Sequence, residues 1–268
     1  MTNNKNQPID IVILSHERSD IIKDMLIKIK ERTHYPHRII VCDNKSSEPA
    51  RENLRKLQEE GYIHKIIFNE FNEWPKGFNP GLKIAQGDLY CLSDPDIIVP
   101  DLGRNCWLTR LMALMDKYKF IGKLGLHINL NNYQEKPGYK TYSKAKCVKL
   151  FESKFMENTD CEIYEAPVDT AMAIYRRDLF SAYNGKYPEI PCVDHQAMYK
   201  SSYKCGRTVP PLSCIHRGFD EYKDFSEENI RYISSKNKAI DSKYYRRLLR
   251  TLKFRRLKEK IKIFFRTD

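Results

Sequence analysis

Long apolar runs are missing from this 268-residue chain: no stretch approaches the roughly 18 consecutive apolar residues of a membrane span. Met1 to Gln7 is polar after its first residue, with no apolar core, so no secretory leader is expected there. Glycine is scarce, at 11 residues, and it is absent where phosphate-binding loops need it. A dinucleotide site requires G-x-G-x-x-G after the first strand, yet Ser15 to Asp20 holds no glycine, and the G-x-x-x-x-G-K-[ST] loop occurs nowhere. No two of the eight cysteines form a C-x-x-C pair. Several lie in strand-like apolar runs, which favours reduced, mostly buried thiols of a cytoplasmic protein over a disulfide framework or a zinc site.

What is present reads as globular. Apolar residues make up 41% of the chain, and the length allows one large or two small domains with a sizeable core. The net charge of +12 is unevenly spread: Lys243 to Asp268 carries 11 basic and 2 acidic residues, leaving +3 for the rest. The basicity belongs to a tail.

Strand and helix patterns alternate in the first hundred residues. Ile9 to Leu14 is apolar and β-branched, as a central strand requires. Ser15-His16-Glu17-Arg18 follows as a polar loop, and Ser19 or Asp20 is placed to cap a helix carrying Ile21, Ile22, Met25, Leu26 and Ile29. Arg38 to Cys42 predicts the second strand, Asp43 to Ser47 its loop, and Glu48 to Glu60 a charged helix with Leu54 and Leu57 inward. His64 to Phe68 reads as a third strand, Asn79 to Gln86 as a short helix, and Leu89 to Leu92 as a fourth strand. Such repetition predicts a mostly parallel sheet with helices on its faces.

The fourth strand ends in Asp94-Pro95-Asp96. Pro95 fixes its own φ and pushes Asp94 towards an extended conformation, so both acids sit on a stiff turn. Alone, an Asp-x-Asp is more often a polar strand cap. Here the loops at 15–18 and 43–47 converge on the same sheet edge, where open α/β folds bind ligands. Without a glycine cradle a phosphate-bearing ligand needs a metal, and a hard divalent cation suits one or two carboxylates.

Ile11 to Arg18, Arg38 to Ser47 and Gly87 to Ile97, in that order and spacing, resemble a family-2-type glycosyltransferase of the GT-A fold. The resemblance covers residues 8–100, with weaker echoes to about residue 220. It implies a nucleotide-sugar donor and Mn²⁺ or Mg²⁺ at the D-x-D motif. By the same resemblance Ser15 and Glu17 line the nucleoside, Asp43 contacts the base, Asp94 lies on the ribose or metal side, and Asp96 ligates the metal. Members often carry a glycine-rich stretch with a basic residue before the fourth strand. Here Asn72 to Gly81 keeps Gly77, Asn79 and Gly81 but inserts Trp74 and Pro75. Lys76 is either the phosphate-side cation or a solvated lysine.

In the second half, Asn105 to Tyr118 reads as an amphipathic helix, Phe120 to Ile128 and Val168 to Tyr175 as strands, and Asn129 to Glu162 as a loop-rich insertion on the acceptor side. The resemblance implies a catalytic base at Asp194, where a loop opens into a helix; an N-cap would use the same residue. Asp169 is next in line as base, and His195 is assigned no function. In Leu212 to Gly218 the resemblance implies that His216 completes the metal site, which favours Mn²⁺ because Mg²⁺ prefers oxygen. In the tail, Tyr245, Leu248, Leu249, Leu252, Leu257, Ile261 and Phe264 repeat near helical spacing among basic residues. Such a helix binds an anionic membrane surface, binds nucleic acid, or packs on its own domain. The apolar stripe favours the first, and no nucleic acid is expected.

The expectation is a GT-A domain over 1–242, with a nucleotide-binding half at 8–100 and an acceptor-side half at 101–242, and a basic amphipathic tail at 243–268. Its activity would move a hexosyl or N-acetylhexosaminyl group from a UDP-sugar to a glycan or lipid-linked acceptor with inversion. It would be cytoplasmic, its tail on the inner face of a membrane. A retaining transferase and, from another class, a basic nucleic-acid-binding protein are the alternatives.

Overall fold

The computed structural model describes residues 7–132, 148, 152, 154–168, 171–177, 204–220, 226–240 and 243–264. The first half follows the alternation expected: β1 (Ile9–Ser15), α1 (Ser19–Arg32), β2 (His37–Asp43), α2 (Glu48–Glu59) and β3 (Lys65–Phe68). A 3-10 turn (Trp74–Phe78) leads into α3 (Asn79–Ile84), and then come β4 (Leu89–Ser93) and the two-residue β5 (Ile97–Ile98). The second half adds α4 (Trp107–Lys117), β6 (Ile121–Gly125), β7 (His127–Ile128), β8 (Ile163–Glu165), β9 (Ala173–Arg176), β10 (Lys204–Thr208) and β11 (Ser213–His216). Two helices close it, α5 (Glu227–Ile240) and α6 (Lys243–Phe264).

Eight strands form one sheet in the order β3-β2-β1-β4-β9-β6-β10-β8. β1 pairs in parallel with β2 and β4, β2 with β3, and β10 with β6. β9 runs antiparallel between β4 and β6, and β8 antiparallel to β10. The sheet is thus mostly parallel and flanked by helices. A smaller three-stranded sheet, β5-β11-β7, stands beside it. The run expected as one strand over 120–128 is divided between the two sheets, which explains why its apolar pattern continues past Gly125.

Burial follows the sequence periodicity. Ile11, Ile13, Ile22, Met25, Leu26 and Ile29 are buried in the main core with Trp107, Leu108 and Leu111 of α4. The opposite sheet face packs Val12, Ile40 and Cys42 beneath α3. There a Cβ on Gly81 would lie 2.6 Å from both the Cys42 sulfur and the Val12 side chain, so glycine lets the helix seat on the strands. The cysteines Cys42, Cys91, Cys106 and Cys214 are buried and free, as expected of reduced thiols. Burial pushes the Cys42 thiol up to about 12, so it stays protonated and unreactive.

Asp10 is a buried carboxylate inside β1. It accepts from Arg38 Nε at 2.7 Å and Nη2 at 2.8 Å on β2, and from the Gln86 amide at 2.6 Å. One side chain thereby joins β1, β2 and the segment entering β4. Removing it strands a guanidinium and an amide, so Asp10→Ala should lower stability by about 3 kcal/mol in urea unfolding, with Asp10→Asn losing less.

Candidate active site

Parallel register sets the site. Ser15 lies opposite Asp43, and Ile13 opposite Ser93, so the loops after β1, β2 and β4 leave one edge of the sheet together. Ser15 is buried, and its carbonyl accepts the Asn44 amide at 2.7 Å. Asp43 is fully buried; its Oδ2 accepts from the Ser46 amide at 3.1 Å and from Arg51 Nε at 2.9 Å. Its Oδ1 has no hydrogen-bond partner among the described residues. A buried carboxylate oxygen left in that state is costly unless something supplies a donor.

Glu17 and Arg18 both adopt left-handed backbone, at φ 54° and 57°. The kink sends their side chains in different directions. Glu17 accepts from the Ser47 amide and hydroxyl, each at 2.8 Å, and from Arg231 Nε at 3.1 Å. It therefore caps α2, whose own N-cap residue makes no side-chain cap. Arg18 occupies the N-cap position of α1, where Ser19 or Asp20 was expected, and it makes no side-chain cap either. A cation cannot satisfy the exposed amides of a helix start. Glu228 of α5 does so instead, accepting from the Ser19 amide at 2.7 Å and its hydroxyl at 2.6 Å.

Asp96 is 4% exposed, whereas Asp94 is half-buried. Arg18 Nη1 reaches Asp96 Oδ2 at 3.4 Å, and the Arg18 guanidinium stacks 4.6 Å from the centre of the Tyr232 ring. β11 pairs antiparallel with β5, setting His216 against Ile97, and the Arg217 amide donates to the Asp96 carbonyl at 2.8 Å. That pairing brings His216 Nδ1 to 3.8 Å from Asp96 Oδ1. The Gly218 amide donates to Nδ1 at 3.0 Å, which fixes the orientation of the imidazole ring.

These residues suit a divalent cation. Two ligands each about 2.1 Å from one ion stand roughly 3 to 4 Å apart; Asp96 Oδ1 and His216 Nδ1 are 3.8 Å apart, and Nδ1 would ligate only on giving up the Gly218 amide. A Cβ on Gly218 would lie 2.5 Å from His216 Cε1 and 2.8 Å from Asp96 Oδ2, so glycine keeps that cradle open. Among the described residues no group of three His, Cys, Asp or Glu side chains converges. A cation here would take its remaining ligands from substrate phosphates and water, the usual habit of Mg²⁺-type sites.

Lys76 is exposed on the 3-10 turn. Asp194, Asp169 and His195 lie outside the described residues. Sequence reasoning missed Arg18 and all of α5, which contributes Glu228, Arg231, Tyr232 and Ser235 to the first loop; Ser235 Oγ lies 2.9 Å from His16 Nε2. The signals for α5 were present. Ser226 accepts the Asn229 amide at 3.2 Å as an N-cap, Glu227 and Glu228 fill the first turn, and Ile230 and Ile233 follow at helical spacing.

The profile of glycosyl transferase family 2 matches residues 10–183. The chain belongs to that family. Among solved structures, the mannosyltransferase PcManGT from Pyrobaculum calidifontis in complex with GDP-Man and Mn²⁺ superposes with a TM-score of 0.58 at 16% identity, over 91% of this chain and 68% of that one. A TarS fragment from S. aureus in complex with UDP-GlcNAc gives 0.54 at 14% identity, over 78% and 58%. At such identities the likeness is one of fold, and the fold is GT-A. An uncharacterized glycosyltransferase of Haemophilus influenzae is 20% identical over 214 residues, 77% of this chain. The family-2 chain spans 61% of that relative's length.

The trans cap makes a direct prediction. Glu228→Ala should speed hydrogen exchange of the Ser19 amide by at least about tenfold, as expected for losing a charge-assisted hydrogen bond. The exchange is readable by NMR, and the β1 amides should be unaffected.

Proposed function

We propose that this family-2 chain transfers a hexosyl or N-acetylhexosaminyl group from a nucleotide-diphosphate sugar, with UDP as the nucleotide, to a hydroxyl of a glycan or lipid-linked acceptor. One observation carries the reading: the buried Oδ1 of Asp43, without a hydrogen-bond partner among the described residues, lies at the same sheet edge as the Asp96–His216 pair. The first is an acceptor waiting for the N–H of a base, and the second suits a cation beside a diphosphate. Support also comes from GDP-Man in the mannosyltransferase complex and UDP-GlcNAc in the TarS complex.

Asp96 and His216 would hold the metal, and the imidazole nitrogen favours Mn²⁺ over Mg²⁺. When bound, the metal supplies positive charge against the negative charge gathering on the departing diphosphate. Arg18 is a positioning residue: its contact with Asp96 Oδ2 turns the other oxygen towards His216. Glu17 holds the first two loops together through Ser47, and Ser15 fixes the second through Asn44. Asp94 faces the ribose side, and Lys76 is the diphosphate-side cation. Asp194 takes the acceptor hydroxyl's proton as that oxygen attacks the anomeric carbon, which inverts its configuration.

Incubation with UDP-sugars, Mn²⁺ and a hydroxyl acceptor should release UDP. Asp96→Ala should cut that release by roughly a hundredfold or more and remove the Mn²⁺ dependence of UDP binding in calorimetry. Full release by Asp96→Ala would sink the metal assignment. Asp43→Ala should weaken UDP binding about tenfold or more, the scale of a hydrogen bond to a carboxylate. Asp194→Asn should abolish transfer while leaving UDP affinity intact, and a product of unchanged anomeric configuration would mean retention.

A further inference from the structure

The tail forms a helix with two apolar faces. Leu248 and Leu252 are buried against Ile233 of α5. Phe254, Leu257 and Ile261 lie about 140° to 200° round the axis from Leu252, at roughly 100° per residue. They are 58%, 55% and 45% exposed, three of the seven large hydrophobic side chains exposed among the described residues. The single stripe expected over 245–264 is therefore divided. Its first half serves the protein, and its second half turns to the opposite side.

Cations surround that outward face. Arg247 and Arg250 lie on it, one to two turns before the apolar residues, and Lys253 and Lys258 flank them; all four are exposed. Glu259 is the only acid between Lys243 and Lys262. No helix among the described residues is long and apolar enough to cross a membrane, so a bilayer would meet this face along its surface. We propose that the outward face of α6 docks on an anionic bilayer, its arginines and lysines against lipid headgroups and Phe254, Leu257 and Ile261 in the acyl boundary. The chemistry selects lipid because it has a use for both halves of the face. Basic residues meet negative surface potential, and the apolar wedge enters hydrocarbon. A nucleic acid would leave the wedge in water. Docking of this kind is independent of the transfer reaction and stands or falls without it.

The test is sedimentation of the full chain with vesicles of pure phosphatidylcholine and of phosphatidylcholine with one-third phosphatidylglycerol (about 33%), at low salt and at about 0.5 M NaCl. Binding is expected only to the anionic vesicles. Arg247→Gln/Arg250→Gln/Lys253→Gln should weaken it roughly a hundredfold, since each cation near the surface contributes about fivefold. Phe254→Ser/Leu257→Ser/Ile261→Ser should retain low-salt binding and lose whatever survives high salt. The residues packed on α5 are untouched, and unchanged helicity by circular dichroism verifies the fold. As a second readout, Phe254→Trp fluorescence should shift to the blue on anionic vesicles above the constant background of Trp74 and Trp107. Equal pelleting on neutral vesicles, an unshifted Trp signal, full high-salt binding by the serine variant, or tighter binding to random DNA duplex than to anionic vesicles at matched charge and salt would each overturn the proposal.

Discussion

The antiparallel pairing of His216 with Ile97 and of Ile215 with Ile98 joins segments from opposite halves of the chain. Only two residues of each strand take part, but the Arg217 amide extends the contact to the Asp96 carbonyl at 2.8 Å. The D-x-D turn is thereby fixed from both sides. β4 delivers it from the main sheet, and β11 clamps the residues that follow it. His216 opposes Ile97, the residue after Asp96, and that one-residue offset brings together an imidazole and a carboxylate so distant in sequence. β11 is itself anchored through β7, where Ser213 pairs with His127.

Burying Arg18 beside Asp96 would be expensive without compensation, because desolvating an ion in a protein costs several kcal/mol. The carboxylate of Asp96 and the face of Tyr232 provide it. Glu17 and Glu228 are treated alike, each placed on the amide that opens a helix. The loop after β1 therefore depends on charges brought by other elements, mostly by α5. Left-handed backbone at two consecutive non-glycine residues is sterically disfavoured, and this web of contacts from α2, α5 and the D-x-D turn is what holds it.

Much of this was legible in the sequence, for identifiable reasons. β1, β2 and β4 are short β-branched or apolar runs whose ends are marked by polar residues, so both strands and loops could be placed. Asp43 and Asp96 followed, since each sits at the end of such a run. Arg18 was not legible. Its role comes from a left-handed kink and from Tyr232, more than two hundred residues later, and neither leaves a local pattern. The antiparallel insertion of β9 between β4 and β6 is likewise a matter of long-range pairing. α5 was legible and overlooked, because the basic tail beyond it dominates the composition. For α6 helical spacing predicted a single apolar stripe, not apolar residues that face two ways, because the sequence does not reveal where one partner ends.

α5 has two duties on two faces. Glu228, Arg231, Tyr232 and Ser235 recur at helical spacing and meet the loop at 16–19. Ile233 points elsewhere and receives Leu248 and Leu252 of α6. A single helix thus separates α6 from the loop after β1, and packed helices lie about 8 to 10 Å apart. With the outward face of α6 on a bilayer, α5 would be the element between α6 and the loop at 16–19.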